Sequence, residues 1–246
     1  MTGRVLRFWI TALTTLIFLA LCATCVFGFM HSKTFDQKLT FGAAVLRAGV
    51  MLVFLYFYYA SLFSSLGTDS AFLPMFIQTS IVAEFRILPL VTELTALCPY
   101  NPVIVSTVIM FCYLLSGLCI FCFGFFYAEK DQMAINKFLS MAIAMAMILA
   151  VFLPKSQDIS AIRSGLAFSI LFASIYTSAG VFFLHHIITD PPGTYLIRHF
   201  SALIFLVANV FNFYFTTRNA ILGATAFTLI SYLTIMIVSK VSDIKY

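Results

Sequence analysis

Long apolar runs follow one another along almost the whole chain, and only short polar connections separate them. A run of about 20 apolar residues can span the hydrocarbon of a bilayer as a helix, because a helix satisfies its own backbone hydrogen bonds. At least six such runs in 246 residues predict an all-α, polytopic transmembrane helix bundle. The connections are too short for a separate soluble domain, so we expect a single integral membrane domain over residues 1–246.

The apolar runs predict seven or eight crossings. Prolines in the connections mark helix ends, since proline interrupts a helix. The predicted helices cover residues 8–30, 40–66, 71–98, 103–128, 133–153, 165–187, 199–216 and 220–239. Seven of these are clear, and the segment 71–98 decides between the two counts.

The segment 71–98 is long enough to cross a bilayer, but it contains Glu84, Arg86 and Glu93. A charge at the bilayer centre costs about 2.5–3.5 kcal/mol on insertion scales, so three charges nearly cancel the apolar gain. On a straight helix Arg86 and Glu93 share a face, whereas Glu84 points elsewhere. If the segment crosses, we expect its charged residues to be buried against other helices and paired, with Arg47 of the second helix as a candidate partner.

A segment that does not cross would instead lie in the interface, or form a re-entrant hairpin bent at Pro89. The distribution of Lys and Arg distinguishes the two layouts, because cytoplasmic loops carry an excess of both. With a cytoplasmic N-terminus, eight crossings place more of these residues inside than outside, and seven crossings do not. The bias therefore favours eight crossings with both termini in the cytoplasm.

Charge and motifs exclude several function classes. The net charge of +5 comes from 14 basic and 9 acidic residues without a dense basic cluster, so we expect no nucleic-acid partner. The chain lacks a phosphate-binding loop, an H-E-x-x-H motif and a G-x-S-x-G motif, so neither an enzyme nor a cofactor is predicted. An N-glycosylation triplet is also missing, which agrees with a bacterial cytoplasmic (inner) membrane.

Four charged residues within the apolar runs are candidates for binding a substrate or an ion: Arg47, Glu84, Arg86 and Glu93. Ionisable groups inside a membrane are rare, and they commonly mark ion, proton or anionic-substrate contacts. A structural interpretation competes with this one. Arg47 lies about two turns into its predicted helix and could extend to the interface, and Glu84 and Arg86 could be interfacial charges.

A second candidate group contains His185, His186, Asp190 and His199, which could ligate zinc or another metal that prefers imidazole. Adjacent histidines on a helix point about 100° apart, so both can bind one metal only where the helix ends. The competing interpretation places these residues at a membrane boundary without a metal.

Nearly all of the chain is committed to helices, which favours a small-solute or ion transport component: a permease, or the membrane subunit of a complex. The alternative is a non-catalytic membrane sensor, anchor or assembly partner. The expected partners are the lipid bilayer and, for the alternative above all, another membrane protein.

Overall fold

The computed structural model describes residues 3–61, 68–95, 101–125, 132–154, 166–189, 194–214, 221–223 and 225–230. The regular structure within these ranges is helical, which confirms the predicted all-α class. The helices are α1 (Gly3–His31), α2 (Phe35–Ser61), α3 (Thr68–Ala83), α4 (Leu88–Thr95), α5 (Pro102–Phe125), α6 (Gln132–Phe152), α7 (Leu166–Thr189) and α8 (Thr194–Tyr214). A 3-10 turn, Glu84–Ile87, joins α3 to α4, and the described residues of Ile221–Ile230 form a C-terminal helical segment.

Within the described residues, six helical stretches are long and apolar enough to cross a membrane: Phe8–His31, Phe35–Phe57, Phe72–Thr95, Pro102–Phe125, Met133–Phe152 and Leu166–Thr189. A 24-residue helix is about 36 Å long, against about 30 Å of hydrocarbon. The protein is therefore an integral membrane helix bundle by the length and composition of these helices. The count of seven or eight crossings is not confirmed, because six stretches among the described residues meet these criteria.

Helix α2 begins at Phe35, five residues before the predicted start, because Thr34 and Gln37 cap it reciprocally. The backbone N–H of Gln37 donates to Thr34 Oγ1 at 3.3 Å, and that of Thr34 donates to Gln37 Oε1 at 3.2 Å. This is the capping-box pattern, which satisfies two otherwise unpaired N–H groups. The earlier start places Arg47 about 18 Å along the helix from Phe35, much deeper than two turns.

Pro89 explains the 3-10 turn between α3 and α4. Proline has no N–H, so it cannot donate to the carbonyl of Phe85 four residues earlier. The N–H of Leu88 donates to that carbonyl instead, in the tighter three-residue pattern of a 3-10 helix. The chain then continues as α4, so Phe72–Thr95 is one helical stretch with a break in helix type near its middle.

Helix α5 lies at the centre of the described bundle and is the most buried of the six stretches. It packs against α3, α6, α7 and α8, and its contact with α3 is the most extensive. On the other side, α1 and α2 pack against each other and against α3. The turn Glu84–Ile87 contacts α1, α2 and α5, so the break in the third stretch is enclosed by helices.

Candidate functional site

Arg47 and Glu84 form a bidentate ion pair in the interior of the bundle. Arg47 Nε donates to Glu84 Oε1 at 2.9 Å, and Nη2 donates to Oε2 at 2.7 Å. The exposed fractions of the two side chains are 2% and 0%. Two parallel charge-assisted bonds are the strongest arrangement for this pair, and neither charge is tolerated at such a depth alone. The expected pairing with Arg47 is confirmed for Glu84, and the alternative in which Arg47 extends to the interface is wrong.

A third donor of the same guanidinium reaches the C-terminal helical segment. Arg47 Nη1 donates to the hydroxyl of Thr225 at 3.2 Å, and that hydroxyl donates to the carbonyl of Ile221 at 2.8 Å. Thr225 could not be predicted from the sequence, since a threonine bonded to its own helix carries no distinguishing signal.

Arg86, from the same 3-10 turn as Glu84, is half-buried and contacts α5. Its Nη1 donates to the hydroxyl of Tyr113 at 3.2 Å. The ring of Tyr113 packs edge-on against Phe213, with the ring centroids 4.9 Å apart, so its orientation is set by the aromatic core. The turn therefore directs two charged side chains to two different helices.

A second set of polar contacts starts at the backbone carbonyl of Tyr113 and reaches α7. Ser116 Oγ donates to the carbonyl of Tyr113 at 2.9 Å and lies 3.0 Å from Tyr176 Oη. A serine hydroxyl carries one proton, so Tyr176 is the donor in the second contact. Both Ser116 and Tyr176 are buried. The Ser116–Tyr176 contact thus joins α5 to α7 through buried hydroxyl groups.

We call Arg47, Glu84, Arg86, Tyr113 and Thr225 the polar centre. Three of its elements lie near the middle of apolar stretches that could cross the membrane: Arg47 in Phe35–Phe57, the turn in Phe72–Thr95 and Tyr113 in Pro102–Phe125. The middle of a bilayer is where an ionisable group costs most, and such groups usually serve a function there.

Glu93 does not join the polar centre. Glu93 is exposed on α4, whereas Arg86 is half-buried. For a crossing segment we expected both side chains to be buried, and for Glu93 this expectation is wrong. That expectation assumed a straight α-helix with 100° per residue. A 3-10 turn advances by about 120° per residue, so the break changes which residues share a face.

The three histidines meet where α7 ends and α8 begins. His185 is exposed, His186 is half-buried and His199 is fully buried. The rings of His186 and His199 are stacked, with centroids 4.9 Å apart and planes at 19°. The rings of His185 and His186 are 5.8 Å apart at 57°. The structure therefore brings all three predicted histidines to one place.

Their geometry differs from that of a metal site. An imidazole binds a metal through a lone pair in the plane of its ring, and nearly parallel stacked rings do not direct two such lone pairs at one point. Asp190, the fourth predicted ligand, lies outside the described residues. Within the described ranges, the His, Cys, Asp and Glu side chains include no group of three or more that could hold a metal ion.

Comparison of the chain with protein-family models, with curated proteins and with solved structures found no match in any of the three. Function resides in sites built from specific residues, because one fold hosts many functions. The polar centre is the strongest such site among the described residues.

Proposed function

We propose that this protein is a membrane transport component for an ion or a small solute, and that the polar centre is its binding site. It would act as a compact permease or as the membrane subunit of a larger complex. The observation that carries the proposal is a buried ion pair at a helix break, near the middle of an apolar stretch. In many secondary transporters the substrate and ion sites lie near the bilayer midplane, where membrane helices are discontinuous.

The chemistry of the pair supports this role. An anion competes with Glu84 for the donors of Arg47, and a proton or a cation competes with Arg47 for the carboxylate of Glu84. Arginine keeps its charge in proteins, so protonation of Glu84 leaves a buried cation with a weaker partner. Ion binding thus favours separation of the pair, as a ligand that binds one conformation better than another shifts their populations.

The 3-10 turn links the separation of Arg47 from Glu84 to helix α5. Glu84 and Arg86 belong to the same four-residue turn, and Arg86 donates to Tyr113. A movement of the turn that separates Glu84 from Arg47 therefore also moves Arg86 relative to Tyr113. Binding at one side of the turn is coupled in this way to the packing of α5 against α3.

Ion flux through liposomes tests the proposal. The purified protein is reconstituted into liposomes that contain a pH-sensitive dye or a chloride-sensitive dye, and an ion gradient is applied across the membrane. We expect E84Q to reduce the flux to that of protein-free liposomes, because the bidentate pair loses its charge. E93Q is the matched control, since it makes the same chemical change at an exposed position and should retain the flux. Equal flux with wild-type protein, E84Q and protein-free liposomes contradicts the proposal for these ions.

The proposal includes an eight-crossing layout in a bacterial cytoplasmic membrane, with both termini inside. In this layout α8 and the C-terminal helical segment belong to the seventh and eighth crossings. Fusions at Tyr246 test it, with a phosphatase that is active only outside the cytoplasm and a fluorescent protein that folds only within. Fluorescence without phosphatase activity supports an even number of crossings, given a cytoplasmic N-terminus, and the reverse result contradicts it.

A non-catalytic sensor, anchor or assembly partner is the second candidate, and the exposure of α1 favours it. This helix is the least buried of the six stretches and presents Leu13, Leu16 and Leu19 on its exposed surface. Such a face suits lipid or another membrane helix equally. Extraction in a mild detergent followed by purification tests it: a reproducible membrane-protein partner, together with no ion flux, would favour this function over transport.

A further inference from the structure

Two apolar grooves run along the exposed side of α2. One lies between α1 and α2 and has a volume of about 520 Å³. The other, of about 350 Å³, lies between α2 and the C-terminal helical segment. Phe29, Gly42 and Leu46 line both grooves, so the two form one trough. We call it the Gly42 trough.

Gly42 is the residue that keeps the trough open. Among the described residues, and apart from its own turn of α2, nothing lies within 4 Å of a Cβ atom added to Gly42, so a side chain there would extend into the trough. Gly28 on α1 is different, because a Cβ atom there would lie 2.5 Å from the ring of Phe41. Gly28 therefore permits close packing of α1 on α2, whereas the missing side chain of Gly42 leaves a space that none of the described residues fills.

One end of the trough is positively charged. Lys38 lines it one turn before Gly42, and its ammonium group lies 5.5 Å from the centre of the Phe29 ring. Lys38 is exposed and close to the start of Phe35–Phe57, at the boundary of a stretch that could cross the membrane. Asp36 precedes it by two residues and points about 200° around the helix, away from it. Besides Lys38, the described lining residues have two polar side chains, Thr225 and the buried thiol of Cys25.

We propose that the Gly42 trough binds one acyl chain of an anionic phospholipid, with the lipid phosphate on Lys38. The trough opens on the exposed apolar surface, where Met30 and Leu46 are also exposed, and its length is apolar up to the single cation. This pattern is complementary to a lipid with a negative headgroup. The proposal does not depend on transport, because it concerns lipid contact alone.

Charge rather than the acyl chain sets the selectivity of this site. An acyl chain leaves one apolar environment for another when it enters the trough, so little net free energy is gained. A lysine near the membrane surface contributes about 1 kcal/mol towards an anionic lipid, which corresponds to a preference of about fivefold. The trough also reaches the polar centre, since Thr225 lines it and accepts a hydrogen bond from Arg47.

Fluorescence quenching by brominated lipids tests this assignment. The chain has a single tryptophan, Trp9, near the opposite end of α1. W9F removes it, and F29W then places a reporter in the trough. The W9F/F29W protein is reconstituted into phosphatidylcholine vesicles with equal fractions of brominated phosphatidylglycerol or brominated phosphatidylcholine. We expect the anionic lipid to bind about fivefold more tightly near the reporter, and K38Q to remove the difference.

Filling the trough provides the second variant. G42L should reduce quenching by both brominated lipids, because its side chain occupies the space of the acyl chain. G180L on α7 is the matched control, since a Cβ atom there also has no described neighbour outside its own helix within 4 Å, and it should leave quenching unchanged. Equal quenching by the two lipids before K38Q is introduced would overturn the proposal. Absence of quenching by both lipids would also overturn it, because it would indicate that a protein chain covers the trough. If F29W does not fold, the amount of anionic lipid that co-purifies in detergent is compared between wild-type protein and K38Q. More lipid with the wild-type protein supports the proposal, and equal amounts overturn it.

Discussion

The polar centre can be compared with the histidine group, which consists of His185, His186 and His199. Both bring polar side chains from separate helices into contact, but they lie at different depths. Arg47 and Glu84 meet near the middle of their apolar stretches and use both oxygens of the carboxylate. His186 and His199 meet near helix ends and contact each other through their ring faces. Deep in an apolar bundle a charge needs a partner of opposite charge, whereas the two imidazoles near the helix ends stack ring on ring, as aromatic side chains commonly do.

Removal of one partner from the ion pair should have the largest effect on stability. R47M leaves the carboxylate of Glu84 buried without its cation, which we expect to destabilise the protein by about 3–5 kcal/mol. The double variant R47M/E84M leaves no buried charge at the pair and should be more stable than R47M alone. Unfolding of the purified variants in detergent measures both effects, and additive losses from the two single substitutions would show that the pair is not coupled.

A smaller loss is expected at the second contact of the polar centre. Y113F removes the hydroxyl that accepts from Arg86 but keeps the ring that packs against Phe213, so we expect a loss of about 1–3 kcal/mol. Y56F is the control, because the hydroxyl of Tyr56 also lies in a close contact, 2.6 Å from Thr15, but at an exposed position. Equal losses in Y113F and Y56F would contradict the difference in depth between the two sites.

The histidine group should respond more weakly than the polar centre. H186A removes one of the two stacked rings, which we expect to cost about 0.5–1.5 kcal/mol. H186F keeps an aromatic ring and should recover most of that loss, while H185A changes an exposed ring. Thermal unfolding of the three variants measures the effect. If H186F is as unstable as H186A, the imidazole nitrogens and not the ring contact hold this group together.

The exposed carboxylate of α4 should show the smallest effect. E93Q makes the same chemical change as E84Q, but at an exposed side chain, so we expect a stability change within about 0.5 kcal/mol. Unfolding of E93Q and E84Q under the same conditions compares the stability loss from one substitution, Glu to Gln, at an exposed position and at a buried position. A large loss in E93Q would mean that Glu93 is enclosed in the membrane-embedded protein and belongs with the polar centre after all.

Some of the site could be predicted from sequence, and some signals were present but unused. The rarity of charges in apolar runs predicts Arg47, Glu84, Arg86 and Glu93 as candidates, and the first three belong to the polar centre. The Thr34–Gln37 capping box is a local pattern that predicts the start of α2 at Phe35, and with it the depth of Arg47. Thr225 had no such signal, because its role depends entirely on a guanidinium from a helix far away in the sequence.

The sequence by itself determined that this protein is a helical membrane bundle, because helix formation in hydrocarbon depends on the local length and polarity of each run. It also determined which charged residues carry an unusual cost. Only the tertiary structure decided that Glu84, and not Glu93, pairs with Arg47. That choice depends on the 3-10 turn, which changes the rotation of the residues after it, and on the packing of α2 against the turn. Neither the rotation after a break nor the neighbour of a helix is contained in a local pattern, so the geometry of the polar centre emerges only when the helices are assembled.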